Sequence, residues 1–240
     1  MSSISIAPPR PSFQQALLDP AVRVLGTHVS LSSVDHDALN EAFHGPELAA
    51  PGEVVFGDGV GGPFMIVSGL VALRRAGLES ARHIISFFVS GDIVGLDTAT
   101  TPRGPGAMVV VTTARIRRLG PGGRQRLVSA PMLLRALAAQ SLQHQAWLQD
   151  QIFRLGALSA LGRTAHLLAE LRFRLERAGF RGEAQPLPVK QEVLAEALGL
   201  SLVHVNRTLK RLRELRLAWF ECGRLMIPDR AALLNAAVLG

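Results

Sequence analysis

The sequence lacks several things, and each shortage removes a class of protein. There is one cysteine, Cys222, in 240 residues. Within one chain that excludes a disulfide, an all-cysteine zinc site and a cysteine-held iron–sulfur cluster. No stretch approaches the ~18 uninterrupted apolar residues of a membrane helix, so no membrane partner is expected. Met1–Pro11 has neither the basic start nor the apolar run of a signal peptide, and a cytoplasmic location is the expectation. Residues 50–120 hold one histidine, His83, where a metal enzyme on a β domain needs a cluster of His and carboxylate ligands. No glycine-rich phosphate loop followed by lysine is visible. No Ser–His–Asp or Cys–His set can be assembled, and Cys222 lies in a basic segment. An enzyme is not expected.

What is present is apolar and basic. Hydrophobic residues make up 48% of the chain, enough for sizeable cores and the opposite of a disordered composition. The length suggests two medium domains. The formal net charge is +7 and the sequence pI is about 11.2. Strong basicity favours a polyanionic partner such as nucleic acid. The excess is uneven. Residues 1–149 carry 12 Lys and Arg against 10 Asp and Glu, whereas residues 150–240 carry 14 against 9. The smaller, C-terminal part holds most of the positive charge.

Residues 1–13 look like a loose tail of Ser and Pro, and 14–44 contain short helical candidates. From Pro51-Gly52 the texture changes to short β-rich runs at 53–56, 64–67, 70–74, 83–89, 92–94 and 107–119, broken by glycine and proline. Such punctuation argues a small β-sandwich or barrel across 14–123. Residues 124–158 then read as one long helix. Leu134, Leu137, Ser141, His144, Leu148, Gln151 and Leu155 recur along it at spacings of three and four. That stripe fits a dimer seam, in which polar members can fix register, or a helix packed on its own domain. Residues 163–178 form a further amphipathic helix with Leu167, Leu168, Leu171 and Leu175 on one face, ended by Gly179 and Gly182. Gln185–Val189 reads as a connector.

The informative segment is Leu187–Arg216. Its first helix, 190–198, buries Val193, Leu194, Ala197 and Leu198. Gly199 permits a tight turn and Ser201 is a good N-cap. The second helix, 202–216, buries Val205, Leu209 and Leu212. Helix, glycine turn and capped helix make the helix-turn-helix layout. The other face of the second helix carries His204, Asn206, Arg207, Lys210, Arg211 and Arg213. Between 201 and 216 there are five Lys and Arg against one Glu. Arg reads guanine bidentately, Asn reads adenine, and further cations suit phosphates. A solvated surface helix is the plain alternative, and a protein module meeting an acidic partner is another. Both explain the charge but not its place directly after the turn signature. Leu217–Glu221 and Leu225–Ile227 flank Cys222-Gly223-Arg224 as a hairpin, the wing, with Arg224 expected at its tip. Cys222 is expected to be an inert, partly buried thiol rather than a redox switch. Asp229 should cap a last helix, 230–238.

At this point the chain resembles the Crp/Fnr superfamily, the regulators typified by the cyclic-AMP receptor protein and FNR. Gly52-Glu53-Val54 with Val67-Ser68-Gly69 looks like the family's effector-domain opening. Ser90-Gly91-Asp92-Ile93-Val94-Gly95 looks like its sheet motif. Leu158-Ser159-Ala160 through Leu171 resembles its hinge. Ala195–Leu200 with Ser201–Arg207 resembles its helix-turn-helix, especially in FixK-like branches. The resemblance implies an α+β chain: a jelly-roll, cyclic-nucleotide-binding-like sensor (14–123), a dimerisation helix (124–158) and a winged helix-turn-helix (159–240). It implies a homodimeric transcription regulator on two-fold symmetric double-stranded DNA, with RNA polymerase as a candidate further partner. Arg207 matches the family's guanine-reading arginine, and Ser201, Gln191 and the neighbouring Lys190 fall where phosphate is met. Val203 departs from the base-reading glutamate common in the family. Cyclic-nucleotide binders of the family carry a glutamate after the sheet-motif glycine and a basic pair about ten residues on. Here Leu96 follows Gly95, and Pro105-Gly106 stand where the pair should be, with Arg103 near. The sensor is therefore not expected to bind a cyclic nucleotide. No cofactor is identifiable. His28, His36, His44 and His83 leave a haem-sensing regulator open, and Cys222 a redox-sensing one.

Overall fold

The computed structural model describes residues 13–57, 61–76, 82–96 and 106–239. Most of the expected tail, and Arg103 and Pro105, lie outside the described residues. The elements run α1 (Phe13–Gly26), α2 (Ser33–Ala42), β1 (Phe43–Ala49), β2 (Val54–Phe56), β3 (Phe64–Ala76), β4 (Arg82–Phe88), β5 (Ile93–Val94) and β6 (Ala107–Leu119). They continue with α3 (Gly123–Val128), α4 (Pro131–Ala157), α5 (Ala160–Arg177), β7 (Ala184–Pro186), α6 (Gln191–Leu198), α7 (Leu202–Glu214), β8 (Trp219–Glu221), β9 (Arg224–Met226) and α8 (Arg230–Leu239).

The N-terminal unit is an antiparallel sheet in the order β1-β6-β3-β4, with β2 on β6 and β5 on β3. The runs 64–67 and 70–74, read from the sequence as separate strands, are one strand. Gly69, at φ +97, lets β3 pass through rather than stop. A Cβ there would meet the Thr113 carbonyl oxygen at 2.6 Å, so only glycine allows β3 and β6 to close. The register with β6 shifts around this point, at Ser68 and Leu70. β1, which the sequence reading did not distinguish, pairs Phe43–Ala49 with β6.

Both faces of the central strands are buried, which is why their sequence is almost continuously apolar. Val55, Phe64, Ile66, Val71, Val110 and Ile116 fill one cluster. Met65 turns toward α1, α2 and α4, meeting Leu25, Leu39, Leu133 and Leu137. Leu70, Ala72, Ile84 and Phe87 belong to a third cluster, shared with Leu168, Leu171, Leu194 and Leu198 of the C-terminal unit. The hydrophobic interior is thus continuous from the sheet into the helix-turn-helix.

The single helix expected over 124–158 is two helices. Ala130 sits at φ −113, ψ 89, and Pro131 opens α4. A residue before proline is pushed out of the helical region, and proline is tolerated in the first helical turn. Beyond the break, α4 runs 27 residues. The C-terminal unit matches the expected order, with one addition. Ala184–Pro186, overlapping the start of the expected connector Gln185–Val189, forms β7, an outer strand on β9.

Candidate nucleic-acid interface

α6 and α7 meet at Gly199, which takes the left-handed φ of +61 and closes the first helix. Ser201 then caps α7, its hydroxyl accepting from the His204 backbone N–H at 3.3 Å. Val205, Thr208 and Leu212 are buried, while Leu209 is only half-buried against the same core. Thr208 escaped the sequence reading because it is polar. Its hydroxyl donates to the Val205 carbonyl and faces the Thr164 hydroxyl of α5 at 3.3 Å.

This packing leaves the opposite face to solvent. Val203, Asn206, Arg207, Lys210, Arg211 and Arg213 are exposed, and His204 is half-exposed. Arg207 lies against His204, Nη2 to Nε2, at 3.0 Å. Arg211 is 3.5 Å from Glu214, the one carboxylate paired with a cation of this face among the described residues. Lys190 is the exposed N-cap of α6 and Gln191 its exposed first residue. They extend the donor-rich surface to a second helix start, where backbone N–H groups favour an anion.

Arg224 is placed differently from expectation. The hairpin tip is Cys222-Gly223, both at positive φ, and Arg224 is the first residue of β9. Its guanidinium donates to the Ala184 carbonyl at 2.9 Å, tying β9 to β7. Cys222 is exposed rather than partly buried, since it stands at the turn of the hairpin. Asp229 caps α8 as expected, accepting from Ala231 N at 2.8 Å and Ala232 N at 3.1 Å.

The residues expected in a seam on α4 split into two rows. Leu134, Ser141 and Leu155 are exposed and Leu148 is half-exposed. Leu137 and Gln151 are buried within the chain, and His144 is largely so. Leu137 packs in the cluster with α1 and α2. Gln151 donates to the Ala197 carbonyl of α6 at 2.8 Å. His144 sits 3.3 Å from Asp92, whose other oxygen accepts from Val89 N. Those three inward residues are not available to a partner. The outward apolar side chains instead include Leu142 and Ile152, 65% and 73% exposed.

The inward row leads to a buried polar junction the sequence did not reveal. Arg154 donates to Glu170 at 2.8 Å and to Gln151 at 2.6 Å. Arg174 donates to the other Glu170 oxygen and to the Phe87 carbonyl of β4. Its guanidinium lies 3.7 Å from the centre of the Trp147 ring. Arg74 of β3 bonds Glu196 of α6 at 2.9 Å. Burial pulls the Arg174 pKa down, against the opposing pull of Glu170. The turn 90–93 is clamped to α4 as well, since Gln140 accepts from Ile93 N and donates to the Gly91 carbonyl. Sheet turn, α4, α5 and α6 are therefore joined by continuous contacts.

Of the sensor histidines, His28 accepts from Arg177 at 2.7 Å, and burial followed by the Arg177 charge lowers its pKa. His83 lies on β4 opposite Arg75. Among the described residues no group of three or more His, Cys, Asp and Glu is arranged to hold a metal ion, and no helix is long and apolar enough to cross a membrane.

An α+β chain with an antiparallel β unit, a long connecting helix and an exposed cationic recognition helix before a wing has the layout of a DNA-binding regulator. Residues 162–236 match the Crp-like helix-turn-helix domain. The nitrogen fixation regulation protein FixK of Bradyrhizobium diazoefficiens is 28% identical over 218 residues, covering 88% of this chain and 91% of that protein. The transcriptional activatory protein AadR of Rhodopseudomonas palustris is 26% identical over 220 residues, covering 90% and 87%. The structure of FixK2 from Bradyrhizobium japonicum superposes with a TM-score of 0.66 at 22% identity, over 80% of this chain and 96% of that one. Residues 162–236 are thus a Crp-like helix-turn-helix domain, and over most of its length the chain is similar to FixK-like DNA-binding transcription regulators.

Proposed function

We propose that this protein works in the cytoplasm as a homodimer that places two α7 helices in successive major grooves of a two-fold symmetric operator and acts on RNA polymerase from there. The observation that carries this is the face of α7. It is capped, donor-rich and almost free of compensating carboxylates, while the other face is fixed into the core. Arg207 reads guanine. Asn206 and His204 lie beside it. Lys190, Gln191, Ser201, Lys210 and Arg211 meet phosphates. Arg224 supports the wing through Ala184 and reaches the backbone only from its exposed edge.

The dimer forms along the outward row of α4: Leu134, Ser141, Leu142, Leu148, Ile152 and Leu155. An apolar row on a 27-residue helix suits a second copy of the same helix. The sensor takes no cyclic nucleotide and, with one cysteine in the chain, no cysteine-held iron–sulfur cluster. Leu96 stands in place of a ribose-binding carboxylate, and His28 is already engaged by Arg177. A signal at the sheet passes through the 90–93 turn, Gln140 and His144 into α4 and on to α5.

The test is selection of bound sequences from a random duplex pool, with the oligomeric state measured alongside. One two-fold symmetric site bound by a dimer supports the reading. A monomer that binds its site with full affinity, or salt-sensitive binding with no consensus, overturns it.

A further inference from the structure

Val203 is the second residue of α7 and is 79% exposed, more than any other exposed large apolar side chain among the described residues. It plays no part in packing, which falls to Val205, Thr208 and Leu212. It is not a helix-favouring choice either, since β-branched side chains lose rotamer freedom in a helix. It precedes Asn206 by three residues and Arg207 by four, and so shares their face. Leu202 beside it is 40% exposed. The first two residues of the recognition helix, Leu202 and Val203, are therefore apolar side chains exposed on a strongly cationic protein.

This inference rests on the reading that α7 enters the major groove. There, base edges present hydrogen-bonding groups with one apolar exception, the C5 methyl of thymine. Valine neither donates nor accepts. Over a G·C pair it would cover N7, O6 or the cytosine amino group without replacing the lost water, which costs free energy. Over a thymine it buries a methyl against two methyls. Its χ1 is nearly fixed in a helix, so those methyls are held in place without further ordering cost. The rise from residue 203 to 207 is ~6 Å, less than two base-pair steps.

We infer that Val203 is a specificity-determining residue that selects a thymine by its methyl group, within about two base pairs of the guanine read by Arg207. The probe is the selected operator, resynthesised with each thymine of one half-site replaced singly by uracil, which removes the methyl and leaves the pairing unchanged. One position is expected to lose about fourfold in affinity, the worth of one buried methyl. Val203→Ala, too short to reach, abolishes most of that difference without lowering thermal stability. Val203→Ile retains it. Uracil tolerated at every position overturns the inference, as does a difference of full size in Val203→Ala. Either result leaves the groove reading intact as long as Arg207→Ala still weakens binding to the selected operator. A pool that yields no operator overturns both.

Discussion

Two sets of arginines divide this molecule. On α7, Arg207, Arg211 and Arg213 stand in water with little to neutralise them. At the junction of α4 and α5, Arg154 and Arg174 are each 2% exposed and share one carboxylate, Glu170. The same side chain serves opposite ends. Exposed, it keeps its charge for a polyanion and contributes almost nothing to the fold. Buried, its charge is expensive, and it persists because Glu170, Gln151 and the Phe87 carbonyl occupy most of its donors, the Arg174 Nε excepted. The junction joins the parts and α7 addresses the partner.

The largest expected effect comes from breaking the buried set. Glu170→Ala strands two guanidinium groups and should cost about 3–5 kcal/mol in urea unfolding. A loss under about 1 kcal/mol would mean that the carbonyl partners suffice without a carboxylate. The exposed set should behave in the reverse sense. Arg207→Ala leaves unfolding unchanged and costs about 1–3 kcal/mol at the operator, with far less effect on random DNA. Lys210→Ala weakens all sequences alike and lowers the salt slope by about one. An equal loss on operator and random DNA would demote Arg207 to a phosphate contact.

Between the two sets lies the cap that orients α7. Ser201→Ala removes the acceptor for His204 N and should cost about 1 kcal/mol of stability, read as a lower Tm. No change would show that water replaces the hydroxyl there.

The smallest effect is on pH dependence. His28 faces Arg177 and His144, and His166 faces Arg154, Asp150 and Glu170. Burial and the arginines lower both pKa values from 6.5. The native state disfavours the protonated form of both rings, so the unfolded chain takes up protons first as pH falls. The stabilisation is full above 6.5 and is lost as pH drops below it toward the lowered native values. Tm should therefore fall with pH below that value, and less so in a His28→Gln, His166→Gln double variant. An identical slope in wild type and double variant would assign the acid sensitivity to carboxylates such as Asp35, held low by its bonds from Ser32.

The helix-turn-helix was legible because its determinants are local. Gly199 supplies a left-handed turn, Ser201 a cap, and Val205 and Leu212 the apolar part of a buried face, to which Thr208 adds a position that polarity hides. Each acts within a few residues, so spacing alone reveals it. The strand runs were legible for the same reason, except for β1 and where Gly69 permits close passage instead of a turn. That depends on Thr113 and Ala114 across the sheet.

Tertiary structure alone decided how α4 divides. Steps of three and four residues place Leu134 and Leu137 on adjoining rows of one helix, and periodicity cannot say which row meets the chain's own core. The positions of α1, α2 and α6 settle that Leu137 and Gln151 turn inward. They also settle that Arg154 and Arg174, indistinguishable in sequence from the solvated arginines of α7, are buried. A side chain's charge is fixed by its chemistry, but its exposure is fixed by whatever element the fold brings over it, here β4 and Trp147.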